Sequence, residues 1–249
     1  MTKFNFKFLC ATVWKKVKKI ATTETVCTIY NNSYDSEKLK SDEYLREINS
    51  YKIKDLKTNP DAKKTATIYS DLTWYYSNVS IDSALGYGRK AIVESTKLGD
   101  STLIAQVYSD VGAVYFRKGD FQNSKENYLK AYKIRKAKKD YKGLAKINNN
   151  LANIYEKNQQ YKLAMTSFLD ALHYFESVND EKNSHVTKGN IGLLLLKLKN
   201  YTKALNYISD VVQYQEENKT TSELCVSCLN LGNVYLQMND TVNALRQYN

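Results

Sequence analysis

A chain of 249 residues that is 43% apolar can build a sizeable core, yet one proline and nine glycines leave little to punctuate strands and tight turns. Its net charge of +11 is front-loaded, because Lys3, Lys7, Lys15, Lys16, Lys18 and Lys19 all precede the first acid, Glu24; the remainder is too modestly basic to be a nucleic-acid signature by itself. Two histidines and four scattered cysteines offer little to His-based catalysis or a disulfide framework, and an all-helical chain is expected.

Residues 6–20 read as a basic amphipathic helix. Phe6, Leu9, Cys10, Val13, Val17 and Ile20 share a stripe about 100° wide, with lysines around most of the rest. Such a helix lies on an anionic membrane surface, making a peripheral contact, or docks as a cap on a helical array. The apolar run from Phe8 stops at Lys15, too short to span a bilayer and without a secretory cleavage site of convincing form. Residues 21–40 are rich in Thr, Ser and Asn and read as a linker, so 1–40 stands apart from a repeat region over 41–249 that opens with a helix over 41–58.

That region has a forty-residue period. Gly112, Ala152, Gly192 and Gly232 recur at this interval, as do Tyr115, Tyr155, Leu195 and Tyr235. Ala84, Ser124, Ala164, Ala204 and Ala244 hold it across five copies, and Ala91, Ala131, Ala171 and Val211 across four. Each copy contains two apolar-periodic stretches, so the period predicts helix pairs: 62–77 with 81–97, 101–118 with 121–137, 141–158 with 161–177, 181–198 with 201–217, and 221–238 with a helix begun at 241. Asp100, Asp120, Asp140, Asp180, Asn200, Thr220 and Asp240 stand where helices begin and are suited to cap them; Gln160 is not. Glycine in mid-helix costs about 1 kcal/mol relative to alanine, and close approach of the partner helix is the reason expected for repeating it. The fold class is therefore all-α: a right-handed α-solenoid of antiparallel helix pairs, about five repeats with the last truncated.

One unit runs Asn149-Asn150-Leu151-Ala152-Asn153-Ile154-Tyr155, followed by Tyr161, Ala164, Phe168 and Ala171. This pattern resembles the tetratricopeptide repeat, and the forty-residue spacing is similar to the long-helix subclass that includes kinesin light chain. Leu72-Thr73-Trp74-Tyr75-Tyr76, after the 41–58 helix, also resembles bacterial sensor proteins whose repeats precede a kinase or DNA-binding output domain. Two departures are that the family's terminal proline is missing and that Thr241 replaces the aromatic found at 121, 161 and 201. The truncated last helix, with no polar cap, reads like a piece of a longer signalling protein.

Stacked pairs turn their first helices toward a concave groove. Asn150, Asn190 and Asn230 recur there, with Asp71 and Asp110 in the equivalent places, and Asn153 and Asn233 lie one turn further on. An amide offers a donor and an acceptor, which suits the main chain of an extended peptide; the same amides also suit bridges between neighbouring helices. The resemblance implies peptide contact at these asparagines. Lys146 and Lys157 flank the ladder as attractors for an acidic group, while Leu193, Leu196, Leu229 and Leu236 make the far end apolar. The partner expected is a protein or peptide, not a specific nucleic acid: Lys125, Lys130, Lys133, Arg135, Lys136, Lys138 and Lys139 spread around an outer helix without an aromatic face. No catalytic constellation, cofactor motif or metal set is read, since Cys225-Val-Ser-Cys228 lacks a second pair and Gly86-Tyr87-Gly88 falls on a helix.

Overall fold

Twenty residues is the working unit of this fold. From Phe121 onward a 17-residue helix is followed by a three-residue turn, and two such units make the forty-residue period. The computed structural model describes residues 52–54, 56–57 and 61–248; the basic segment 6–20, the linker 21–40 and most of the 41–58 helix lie outside the described residues. Pro60–Asn249 is one compact unit. Its helices are α1 (Ala62–Tyr76), α2 (Ile81–Leu98), α3 (Ser101–Lys118), α4 (Phe121–Ala137), α5 (Tyr141–Lys157), α6 (Tyr161–Ser177), α7 (Glu181–Lys197), α8 (Tyr201–Glu217), α9 (Thr221–Gln237) and α10 (Thr241–Tyr248). No strand occurs among the described residues.

The turns are built alike. Lys139, Gln159, Asn179, Lys199, Lys219 and Asn239 all adopt left-handed φ between 53° and 62°. The next residue's N–H then reaches five residues back, as Asp140 does to the Arg135 carbonyl at 3.0 Å and Asp180 to Phe175 at 2.9 Å. This satisfies carbonyls that the ending helix leaves orphaned. The same turn residue caps the following helix: Asp140 Oδ1 accepts from Gly143 N at 2.9 Å, and Asp240 Oδ1 from Asn243 N at 3.1 Å. Backbone donation from Leu103 to Asp100, and from Asn243 to Asp240, holds both carboxyls below the usual carboxylate range. Thr220 departs from expectation. Its hydroxyl donates back to the Gln215 carbonyl at 3.4 Å, and α9 has no side-chain cap.

Within a pair, small residues on the first helix admit large ones from the second. A Cβ added at Gly112 would lie 3.1 Å from the Tyr128 ring, and one at Gly192 would lie 2.5 Å from Ile208 Cγ1. Phe168 fills the corresponding layer beside Ala152 and Ala164 and is fully buried. Ser124 stands in the alanine position of its repeat, where its buried hydroxyl donates to the Gly112 carbonyl at 2.8 Å. Second helices also pack on the next first helix, which stacks the pairs, while α1 meets α3, α3 meets α5 and α7 meets α9 along one inner side. Of the two C-terminal cysteines, only Cys228 packs against the core, and Cys225 faces solvent. Among the described residues no helix is long and apolar enough to cross a membrane.

Ile208 is 2% exposed and has nowhere to retreat. Gly192→Leu is therefore expected to lower stability by about 1–3 kcal/mol through overpacking. Chemical denaturation measures this, and an unchanged midpoint would contradict the close approach.

Candidate functional site

Because each half-repeat from Ile81 onward spans twenty residues, residues forty apart return to the same face, and the first helices bring theirs together on the inner side. A cavity of about 320 Å³ opens there, with Trp74 of α1, Gln106 and Asp110 of α3, Lys146, Asn149 and Asn150 of α5, and Val186 of α7 in its lining. Arg135, from the last turn of α4, reaches the same space.

The ladder residues divide by what they already hold. Asn190 Nδ2 donates to Asn149 Oδ1 at 3.0 Å, a bridge from α7 to α5. Asp110 is tied in the same way, accepting from Ser70 Oγ of α1 at 3.0 Å and from Gln106 Nε2 at 2.8 Å. Asn233 accepts from the Tyr248 hydroxyl at 2.8 Å, joining α9 to α10. For Asn190, Asp110 and Asn233 the bridging role anticipated beside ligand contact is the one these bonds display. Asn150 lines the cavity and Asn230 is half-buried on α9, and neither has a hydrogen bond to the described residues. Asn153 is half-buried one turn beyond Asn150, outside the cavity lining. Lys146 is exposed at the cavity, whereas Lys157 is exposed in the last turn of α5 and does not line it.

Arg135 corrects the reading of its cluster as an outer basic face. Its guanidinium turns inward, with Nη1 donating to Asp140 Oδ2 at 2.5 Å and Nη2 to Gln106 Oε1 at 3.0 Å. Gly143 leaves the passage, since a Cβ there would collide with the Arg135 guanidinium. Lys125 and Lys130 of the same cluster lie over the Tyr155 and Tyr108 rings at 5.4 Å and so tie neighbouring helices. Trp74 is the other cavity residue that periodicity missed: 51% exposed, it is held by Arg117 at 5.0 Å over its ring. Arg117 is itself anchored by donating to Ser77 Oγ and Asn78 Oδ1.

Toward the C-terminal end the inner face becomes apolar. Val186 and Val226, one and two repeats beyond the position of Lys146, are 50% and 46% exposed, and Leu193 and Leu229 are exposed beside them. Leu196 is turned away and packs on the core. A second cavity, of about 440 Å³, lies between α7, α8 and the turn before α7; in its wall Asp180 caps α7 and Lys188 pairs with Asp210 at 2.6 Å. His185 in its wall stacks on Tyr214 with centroids 3.7 Å apart, and His173 is exposed. Among the described residues no three His, Cys, Asp or Glu side chains converge as metal ligands.

Antiparallel pairs stacked with a lined inner face define a helical-repeat interaction scaffold. Residues 103–177 and 187–218 match models of the tetratricopeptide repeat. The solved structure of BtubC (BKLC) from P. vanneervenii is 20% identical, with a TM-score of 0.68 over 82% of this chain and 83% of that one. A Signal Transduction ATPase with Numerous Domains protein with a tetratricopeptide repeat sensor, from Pyrococcus horikoshii, is 17% identical with a TM-score of 0.65, over 71% of this chain but 28% of that one. The apo form of RapI is 14% identical, TM-score 0.58, over 81% and 87%. No curated protein matches the chain in sequence. The chain carries tetratricopeptide repeats over residues 103–177 and 187–218.

Burial pushes the Asp110 carboxyl up to about 6, against the pull of its Ser70 and Gln106 donors; Asp71 adds to the rise and Arg135 opposes it. A carboxyl whose folded pKa exceeds its unfolded value of about 3.9 stabilises most when protonated, and that contribution is lost as pH rises through about 6. Asparagine, the residue at ladder positions 150, 190 and 230, removes the titration. The stability of Asp110→Asn relative to the unsubstituted protein is expected to improve by roughly 2–3 kcal/mol between pH 4 and pH 7.5. Urea titrations at both pH values check this, and a pH-independent difference contradicts it.

Proposed function

We propose that this scaffold holds an extended peptide or partner segment along the inner face of its first helices, without catalysis of its own. Repeats of this kind are typically non-enzymatic scaffolds, and two features here support the narrower reading. Asn150 presents an uncommitted amide in a cavity walled by Trp74 and Val186, and Lys146 is exposed at the same opening. A half-exposed tryptophan beside unpaired polar groups combines apolar anchoring with main-chain hydrogen bonding. The opposite end offers exposed Val226 and Leu229, so a partner segment carries polar or acidic groups toward α3–α5 and apolar side chains toward α7–α9.

A second reading rests on the Pyrococcus protein, whose repeats form a sensor. In that reading the inner face is the sensory or regulatory part of a bacterial signalling protein, with a histidine kinase or transcriptional output outside this chain. Both readings place the partner in the same groove.

A peptide selected from a random library on the immobilised chain provides the probe. Asn150→Ala is expected to weaken its binding by about 1–3 kcal/mol, because peptide groups lose their partner, while stability stays unchanged. Asn190→Ala should instead lower stability, by breaking the bridge to Asn149. Calorimetric titration beside thermal melts decides; unchanged affinity in Asn150→Ala would contradict its contact with the peptide.

A further inference from the structure

Which rungs of the ladder are open follows from the position just before the ladder in the preceding repeat. Asn149 occupies Asn190, and Ser70 occupies Asp110. Opposite Asn150 that position is Ser109, whose hydroxyl turns onto its own helix and donates to the Ala105 carbonyl at 2.9 Å. Opposite Asn230 it is Gly189, which has no side chain to offer. Closed and open rungs therefore alternate: Asp110 closed, Asn150 open, Asn190 closed, Asn230 open.

Gly189 differs from the other glycines inside first helices. Gly112, Gly192 and Gly232 admit Tyr128, Ile208 and Tyr248 from their partner helices. A Cβ at Gly189 would meet only Val211 Cγ2, at an ordinary 3.9 Å. Packing gives no reason for glycine there, although glycine weakens a helix wherever it stands inside one. Glycine also serves where another backbone approaches closely.

From this we infer that Gly189 keeps the space in front of Asn230 clear for a partner's main chain, gripped at Asn150 and Asn230 and passing over the closed rung at Asn190. The inference rests on the groove reading and adds the class and length of ligand. First helices packed about 8–10 Å apart set the two open amides roughly 16–20 Å from each other. An extended chain covers that span in about six residues. The segment is recognised by its main chain at both ends, with Val186 and Leu229 half-exposed beside it to take apolar side chains between.

The test uses dodecapeptides selected from a random phage library on the immobilised chain, with affinity read by fluorescence polarisation. Asn150→Ala and Asn230→Ala are each expected to weaken the selected peptide tenfold or more, and Asn190→Ala less than threefold. Gly189→Asn should match Asn230→Ala, because the added amide closes that rung as Asn149 closes Asn190, and its melting temperature should not fall. Without peptide, hydrogen exchange of ¹⁵N-labelled side-chain amides should be slow at Asn190 and fast at Asn150 and Asn230, with Gly189→Asn slowing Asn230. Wild-type affinity and fast Asn230 exchange in Gly189→Asn would overturn the inference. So would an Asn190→Ala loss as large as that of Asn150→Ala. If neither Asn150→Ala nor Asn230→Ala alters binding, the peptide does not use the ladder, and the groove reading itself falls.

Discussion

From α4 onward the inner face depends on the three-residue turn and its left-handed middle residue. That residue lets the N–H after it satisfy the ending helix, and the next side chain at once caps the following one, so each half-repeat closes in twenty residues. Residues forty apart thereby stay on one face along the whole stack. Four of the six non-glycine positions are lysine or glutamine, residues that pay a steric penalty for positive φ. The turn persists because hydrogen bonding on both sides over-determines it.

Stacking then sets a gradient along the groove. Near α3 and α5 the inner face is a connected polar chain running from Ser70 through Asp110 and Gln106 to Arg135 and Asp140. Such a chain holds its members in place, so the cavity residues left outside it are Trp74, Lys146 and Asn150 among others. Near α7 and α9 exposed valine and leucine replace it. In the proposed reading the amides set a partner's register and the apolar end supplies area, a division common at protein interfaces.

Much of this was legible in the sequence, because period, caps and small residues are local or strictly repeated. Gly192 announced a close approach and the structure supplies Ile208; Asp140 announced a cap and the structure supplies Gly143 N. The ladder positions were legible as well. Their occupation was not, because whether an amide is tied depends on the side chain one position earlier in the neighbouring repeat, which a forty-residue alignment does not pair. Arg135 escaped for a related reason: a lysine-rich helix end looks outward until Gly143, in the first turn of α5, opens a way in. Thr220 misled because its hydroxyl had two acceptable partners and took the backward one.

In the proposed reading, partners lie along the first helices. Photo-crosslinking from a benzophenone placed in a selected peptide, mapped by mass spectrometry, tests this most directly. Crosslinks confined to 146–150, 186–193 and 226–230 are the predicted result. Crosslinks concentrated on the second helices α4, α6 and α8 would contradict it.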